Sequence, residues 1–387
     1  MTPRVLVDAA AVPADRGALI RYVDGLVAAL HEAGADLAVV CQRADAERYG
    51  KLAPAARILA GPAALTNRGK RLVWEQFGLP VLAQRAEADV IHAPYYSIPL
   101  RSGLPIVATI HDVACFTEPE PEPEQYDTAR AAFFRSATRT AVRRASRLVV
   151  PSKATRDELV RVLGADPTRI DVAYHGVDAV LFHPPGEREI RRVADRIGLH
   201  GHPYIAYLGG IEPRKNVPNL IRGFAEAVEH LPAPPALVLA GGPGWDGEVE
   251  AAMAGLPPRI RIVRPGYLPF ADLPGFLGGA LVVAFPSRSE GFGLPVLEAM
   301  ACGAPVLTTH RASLPEVGGD AVAYTEPDAE SVAAALRALL ESPRRRTALS
   351  SAGVDRAREF TWRLSAEAHL AAYQRAADGC TSLPGYG

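Results

Sequence analysis

Glu290 and Glu298 bracket the stretch "EGFGLPVLE", in which every other residue is glycine, proline or apolar. A glycine-rich turn leading into a helix offers unpaired backbone N–H groups to anions and hydroxyl oxygens. Pro295 fits the first helical turn, where its missing N–H is no loss. The amides of Gly293, Leu294 and Val296 would then point outward, with Glu298 about one turn further in. An ionised carboxylate on so apolar a helix must be exposed or paired, because burying it bare is costly. A ribose diol would pair it; a narrow solvent-facing stripe is the plainer alternative. Upstream, "GGIEPRKNVPNLIRGF" sets Arg214 and Lys215 side by side just before another helix. Two cations beside helix amides suit a diphosphate, although a solvated charge pair is the commoner fate of such a dipeptide. "VATIHDVACF" ends a strand on His111, which could meet a sugar hydroxyl or a developing charge, or serve as a structural histidine. Taken together, these residue types describe a site for a nucleoside diphosphate joined to a hydroxyl-rich group.

Short β-branched runs alternate with helical spacing along nearly the whole chain, as buried parallel strands between helices would. The runs are "RVLVDAA", "DLAVVC", "DVIHA", "LPIVATIHD", "SRLVVPS" and "RIDVAYHG", then "PYIAYLGG", "PALVLAGG", "RIRIVRPG", "ALVVAFPS" and "GAPVLTT". Periodicity lapses at "YHGVDAVLFHPPGERE", which places a domain boundary at 184/185. The fold class expected is α/β, as two doubly wound, Rossmann-like parallel-sheet domains facing a cleft. Residues 1–184 form the first and 185–360 the second. In such sheets ligands sit beyond the carboxyl ends of the strands, where all the residues singled out above fall. The acidic, proline-spaced "PEPEPE" at 119–124 reads as a solvated loop.

Composition narrows the function. The 387 residues carry a net charge of −1, with 48% hydrophobic and 22% charged residues, as in soluble globular proteins. Neither half has the positive excess that backbone-driven nucleic-acid binding needs, so no nucleic-acid partner is expected. Cys41, Cys115, Cys302 and Cys380 are scattered and form no C-x-x-C pair. No D-x-D motif or His/Asp/Glu cluster has ligand spacing, so neither a metal nor another cofactor is expected. "GGPGWDG" contains G-x-G-x-x-G at Gly242, Gly244 and Gly247, but the following strand has only arginines where a ribose-binding acid would stand. It reads as a plain glycine-rich loop. The chain enters a strand almost at once, and no apolar run is long enough to span a bilayer, giving a cytoplasmic expectation.

With "EGFGLPVLEAMACGAPVLTT", "GGIEPRKNVPNLIRGF", "SLPEVGGDAV" and "YHGVDAVLF" on view, the chain resembles the family-4 retaining glycosyltransferases of GT-B fold over nearly its whole length. The resemblance implies transfer of a sugar from a nucleotide donor with retained configuration. Glu298 would hold the ribose, and Glu290 with the amides of Gly291, Phe292, Gly293 and Leu294 would hold the donor sugar. Arg214 and Lys215 would neutralise the diphosphate, and His111 would contact sugar hydroxyls. Gly17 would allow close approach of the first loop, and the backbone of Tyr267 and Leu268 would meet the base. Segment 361–387 would be a helix crossing back to the first domain, docking by Leu364, Ala368, Ala371 and Ala372, with Trp362 and Tyr373 nearby. The "EPRKN" subgroup gives GDP-mannose a lead over UDP- or dTDP-sugars, with a saccharide or lipid-linked acceptor. Gly210 stands where many relatives have arginine, which makes Lys215 the safer phosphate ligand. The arginine-rich segment 130–147 reads first as a solvated surface helix; it could also hold an anionic acceptor or lie against lipid at the inner face of a membrane. An epimerase and a non-catalytic nucleotide-sugar sensor are the rival functions.

Overall fold

The computed structural model describes residues 2–11, 17–117, 128–242, 244 and 246–381; the "PEPEPE" loop lies outside them. The chain forms two compact units. In the first, β1 (Val5–Asp8), β2 (Leu37–Cys41), β3 (Arg57–Ala60), β4 (Val90–Ala93), β5 (Ile106–Thr109), β6 (Arg147–Val150) and β7 (Ile170–Val172) build one sheet. In the second, the strands are β8 (Tyr204–Leu208), β9 (Ala236–Ala240), β10 (Ile262–Gly266), β11 (Val282–Phe285), β12 (Val306–Thr309) and β13 (Ala323–Thr325). The orders are β3-β2-β1-β4-β5-β6-β7 and β10-β9-β8-β11-β12-β13, and all pairs are parallel. Strands β1, β2, β4, β5, β8, β9, β11 and β12 are buried throughout, because helices cover both faces of each sheet.

The strand order reverses between β1 and β4 and between β8 and β11, and at such a reversal the loops diverge and leave room for a ligand. Two strands escape the hydrophobic pattern, β3 and β13. β3 keeps all four residues at least partly accessible, and β13 is only three residues long, so neither offers a long apolar run.

The sequence boundary at 184/185 needs correction. The units divide at 176/177, and the first unit regains the chain at Thr361. Pro184-Pro185-Gly186 does break periodicity, but the residues just before it already belong to the second unit. Phe182 is buried and packs edge-on to Phe270 at 5.6 Å, and Val177 N–H donates to Phe360 O at 3.1 Å. At the crossing point Gly176 has no room for a side chain, since a Cβ there would collide with the backbone of Thr361 and Trp362.

Helix Trp362–Thr381 packs on helix Ala18–Glu32 of the first unit. Its inward face is Ala366, His369, Ala372, Tyr373 and Ala376, whereas Leu364 and Ala371 point outward. The expected docking face was therefore rotated. Counting only apolar residues overlooked that Ser365 and His369 are buried as well.

Candidate functional site

In the second unit β8 and β11 are neighbours, with Ile205 opposite Val282, so the loops that follow them meet although they are far apart in sequence. The β8 loop makes a short turn, Pro213–Lys215, and closes on Asn216 in the left-handed conformation (φ 62°), which asparagine tolerates better than most residues. Asn216 Nδ2 donates to Pro286 O at 3.1 Å and Pro327 O at 2.6 Å, fixing this loop to the end of β11. Arg288 N–H donates to Arg214 O at 2.7 Å, a second tie between the loops.

Lys215 and Glu290 form a buried ion pair. Arg214 Nη1 joins it, 3.3 Å from Glu290 Oε2, while Arg214 Nε donates to Glu212 at 2.8 Å. Ser287 Oγ donates to Glu290 Oε1 at 2.8 Å, and Ser313 Oγ holds the Glu290 carbonyl at 2.9 Å. Burial alone would push the Glu290 carboxyl up; Lys215 and then Arg214 outweigh it and hold it below the usual glutamate range. Burial, then Arg214, pulls the Lys215 ammonium down, and its Nζ also lies 5.1 Å from the Phe285 ring.

Helix Leu294–Ala301 follows, entered through Gly293 at φ 99°, a conformation glycine adopts without penalty. Val296 N–H is turned back onto Gly293 O at 2.9 Å, which corrects the expectation that it points outward and leaves the N–H groups of Gly293 and Leu294 at the helix mouth. Glu298 is 2% exposed, so it is not a solvent-facing stripe. The Phe292 ring is buried edge-on to Phe360, so this residue has its backbone to offer. Tyr267 is exposed and its hydroxyl lies over Gly242, where a Cβ would come within 2.7 Å of it; Leu268 is half-buried. In the G-x-G-x-x-G loop Gly244, and Gly241 just before the motif, have structural roles. Gly241 (φ 129°) and Gly244 (φ 64°) let the β9 loop lie directly on the backbone of Gly209 and Ile211. Among the described residues no group of three or more His, Cys, Asp or Glu could hold a metal.

The other two predicted residues belong to the first unit. Gly17 caps helix Ala18–Glu32 in an extended conformation, with open space where its side chain would be. His111 follows β5 and donates from Nε2 to Pro94 O at 2.8 Å. Burial lowers its pKa, so the ring is neutral and Nδ1 is left as an acceptor, suited to a hydroxyl donor and not to a developing negative charge.

Behind His111 runs a chain of buried hydrogen bonds whose polarity is fixed by its end. His369 Nδ1 must donate to Ser365 O (2.7 Å), so His369 Nε2 accepts from Tyr22 Oη (2.9 Å). Tyr22 then accepts from Thr109 Oγ1 (2.8 Å), Thr109 from His92 Nε2 (2.8 Å), and His92 Nδ1 from Tyr373 Oη (2.8 Å). The Tyr22 ring stands edge-on to His111 at 4.9 Å. No sequence pattern marks this chain, nor the roles of Asn216, Ser287 and Ser313.

Burial keeps His92, His111, His175 and His369 neutral, with His369 lowered to about 4 despite the opposing charge of Asp171. Each is protonated more readily when unfolded. The stability they contribute is therefore complete above the ordinary histidine pKa of about 6.5 and is lost as pH falls toward the lowered native values. Each fully buried ring can contribute up to ~1.4 kcal/mol per pH unit. Urea unfolding of the first unit, followed through Trp362 stacked on His175, should show a midpoint that falls steeply below pH 6.5 and less steeply in His369→Gln. A flat midpoint would contradict neutral burial.

Residues 20–181 match the family model described as Glycosyltransferase Family 4, and residues 191–356 match Glycosyl transferases group 1. O-antigen chain mannosyltransferase B of Escherichia coli is 32% identical over 70% of this chain and 71% of that protein. The chain is a family-4 glycosyltransferase of GT-B fold. D-inositol 3-phosphate glycosyltransferase of Kineococcus radiotolerans is 29% identical to this glycosyltransferase over 94% of the chain and 91% of that protein. In fold, the glycosyltransferase superposes on Anabaena HepE, solved in complex with UDP and glucose, with a TM-score of 0.71 and 18% identity, covering 98% of this chain and all of that one. Its basic segment 130–147 is not one element: a helix ends at Arg144, and Arg147 opens β6, paired with Asp171 at 2.5 Å. No described helix is long and apolar enough to cross a membrane.

Proposed function

We propose that this glycosyltransferase is retaining and moves a hexose, with GDP-mannose favoured, from a nucleotide-sugar to a hydroxyl of a saccharide or lipid-linked acceptor. The observation that carries the reading is the buried cluster of Glu290, Lys215 and Arg214 beside a glycine-entered helix that bears buried Glu298. Lys215 has three N–H donors and gives one to Glu290; the others would meet the diphosphate without a divalent cation, with the charge of Arg214 alongside. As negative charge grows on the departing phosphate, such preorganised cations stabilise the transition state more than the ground state. Glu290, already accepting from a lysine, an arginine and a serine, is a poor nucleophile. It is better suited to accept from hydroxyls of the donor sugar, with the leaving phosphate itself deprotonating the acceptor on the same face. On the first unit, His111 Nδ1 would accept from a substrate hydroxyl, and Gly17 leaves open space at the head of helix Ala18–Glu32. The E. coli mannosyltransferase supports mannose, and the UDP and glucose bound to the Anabaena protein support a nucleotide-sugar of some kind.

Titration calorimetry against GDP-mannose, UDP-glucose, UDP-N-acetylglucosamine and dTDP-sugars tests the donor, and turnover in EDTA tests the clamp. Glu298→Gln should weaken the preferred donor about 10- to 100-fold, since a charge-assisted hydrogen bond contributes about 1.5–3 kcal/mol. Unchanged affinity in the folded variant would remove the ribose role. Activity abolished by EDTA and restored by magnesium would remove the metal-free clamp.

A further inference from the structure

Helix Arg68–Arg85, which follows β3 in the first unit, is apolar on two faces. Leu79, Pro80 and Ala83 are buried against the sheet, while Val73, Phe77 and Val81, spaced one helical turn apart, are 61%, 57% and 46% exposed. Leu100 is exposed as well, and Arg101 beside it lies over the Phe77 ring at 5.0 Å. Arg68, Lys70 and Arg85 are the exposed cations of this helix, whereas Arg71 is half-buried and its charge acts on the buried Asp8 and Glu75. Its single acid, Glu75, is buried, accepts from Ser97 Oγ at 2.7 Å, and has its carboxyl pushed up to about 7 by burial and then by Asp8. The next acid, Glu87, lies past the helix end and is paired with Arg4 at 2.8 Å.

We infer that the exposed face of helix Arg68–Arg85 seats the protein on an anionic lipid bilayer, with Val73, Phe77 and Val81 entering the headgroup boundary and the flanking cations meeting lipid phosphates. An apolar stripe rimmed by cations, with no exposed acid on the helix, complements that surface on both counts. A second copy of the chain fits less well, because a two-fold contact would set each cationic rim against its own kind. Nucleic acid would leave the apolar stripe in water. The face also connects with the candidate site inside this unit. Arg68 stacks on Phe133 (4.9 Å) and Phe134 (5.6 Å), Phe134 packs edge-on to Tyr96 (5.5 Å), and Tyr96 lies 6.2 Å from His111. The lipid surface would thus be held by the same layer of rings that carries His111, which suits an acceptor presented by a membrane. The seating itself does not depend on the identity of the donor.

Flotation with vesicles of phosphatidylcholine alone, and of phosphatidylcholine mixed with phosphatidylglycerol, tests this on the full chain. Binding should require phosphatidylglycerol and weaken with salt. It should fall about fivefold for Arg68→Gln or Lys70→Gln, and at least about tenfold when Val73, Phe77 and Val81 are all changed to serine. These side chains are exposed, so the triple variant should fold, and its unchanged nucleotide-sugar affinity is the control. No binding by the wild-type chain, or undiminished binding by the triple variant, would overturn the inference. So would a dimer that the triple variant disperses in the absence of vesicle binding. Failure of donor binding with vesicle binding intact would count against the proposed reaction alone.

Discussion

Lys215→Ala is expected to lower turnover at saturating donor by about 10²–10³-fold, the scale on which removing one transition-state donor acts. It should also destabilise the second unit, because Glu290 stays buried after its nearest counter-charge has gone. Breaking a buried pair from one side costs about 3–5 kcal/mol. Arg214→Ala should do less on both counts. That side chain is further from Glu290, is shared with Glu212, and leaves the lysine in place. The two effects can be separated. Lys215→Met combined with Glu290→Gln removes both buried charges and should recover most of the stability without recovering turnover. Denaturant midpoints and single-turnover rates on the three proteins decide the matter. Equal losses for Arg214→Ala would make it a full partner, and an active Lys215→Ala would remove the lysine from the mechanism.

The second large effect is steric. Gly241→Ala should cost ~3 kcal/mol or more. At φ 129° an L side chain is strained, and the new Cβ would overlap Gly209 O, a backbone atom that cannot swing away. Because Gly209 begins the loop that carries Arg214 and Lys215, the surviving folded fraction should also bind donor more weakly. Gly255→Ala, with negative φ and nothing within 4 Å, is the control and should be near neutral. Thermal midpoints compare them; similar values for the two variants would mean that the loop packing is looser than described.

What the sequence disclosed follows from where each residue lies. Central strands such as "ALVLA" and "VVAF" are buried on both faces and stand out as apolar runs; β3, accessible along its length, and β13, three residues long, do not. Glu290, Glu298, Arg214 and Lys215 were visible as candidates because charge is conspicuous beside glycine and apolar neighbours. The Lys215–Glu290 pair was not, because it depends on β8 lying next to β11, a fact of topology and not of local pattern. Asn216 left a faint trace, an asparagine directly before the Val-Pro that opens a helix, yet its hydrogen bonds reach carbonyls far away in sequence. The inward face of helix Trp362–Thr381 was misread because a buried histidine and serine look like surface residues until their partners are seen.

The crossing at Gly176 and Trp362 has a consequence for how the protein is made. Among the described residues the second unit runs unbroken from Val177 to Phe360, so a ribosome releases that stretch in one piece. The first unit is begun earlier but closed later. Ala366, Ala372, Tyr373 and Ala376 belong to its hydrophobic core, and His369 and Tyr373 complete its buried hydrogen bonds. Domains usually fold in the order of their synthesis. Here that order is inverted: the half translated first must wait, with part of its core uncovered, until the half translated second has been finished and the chain has come back.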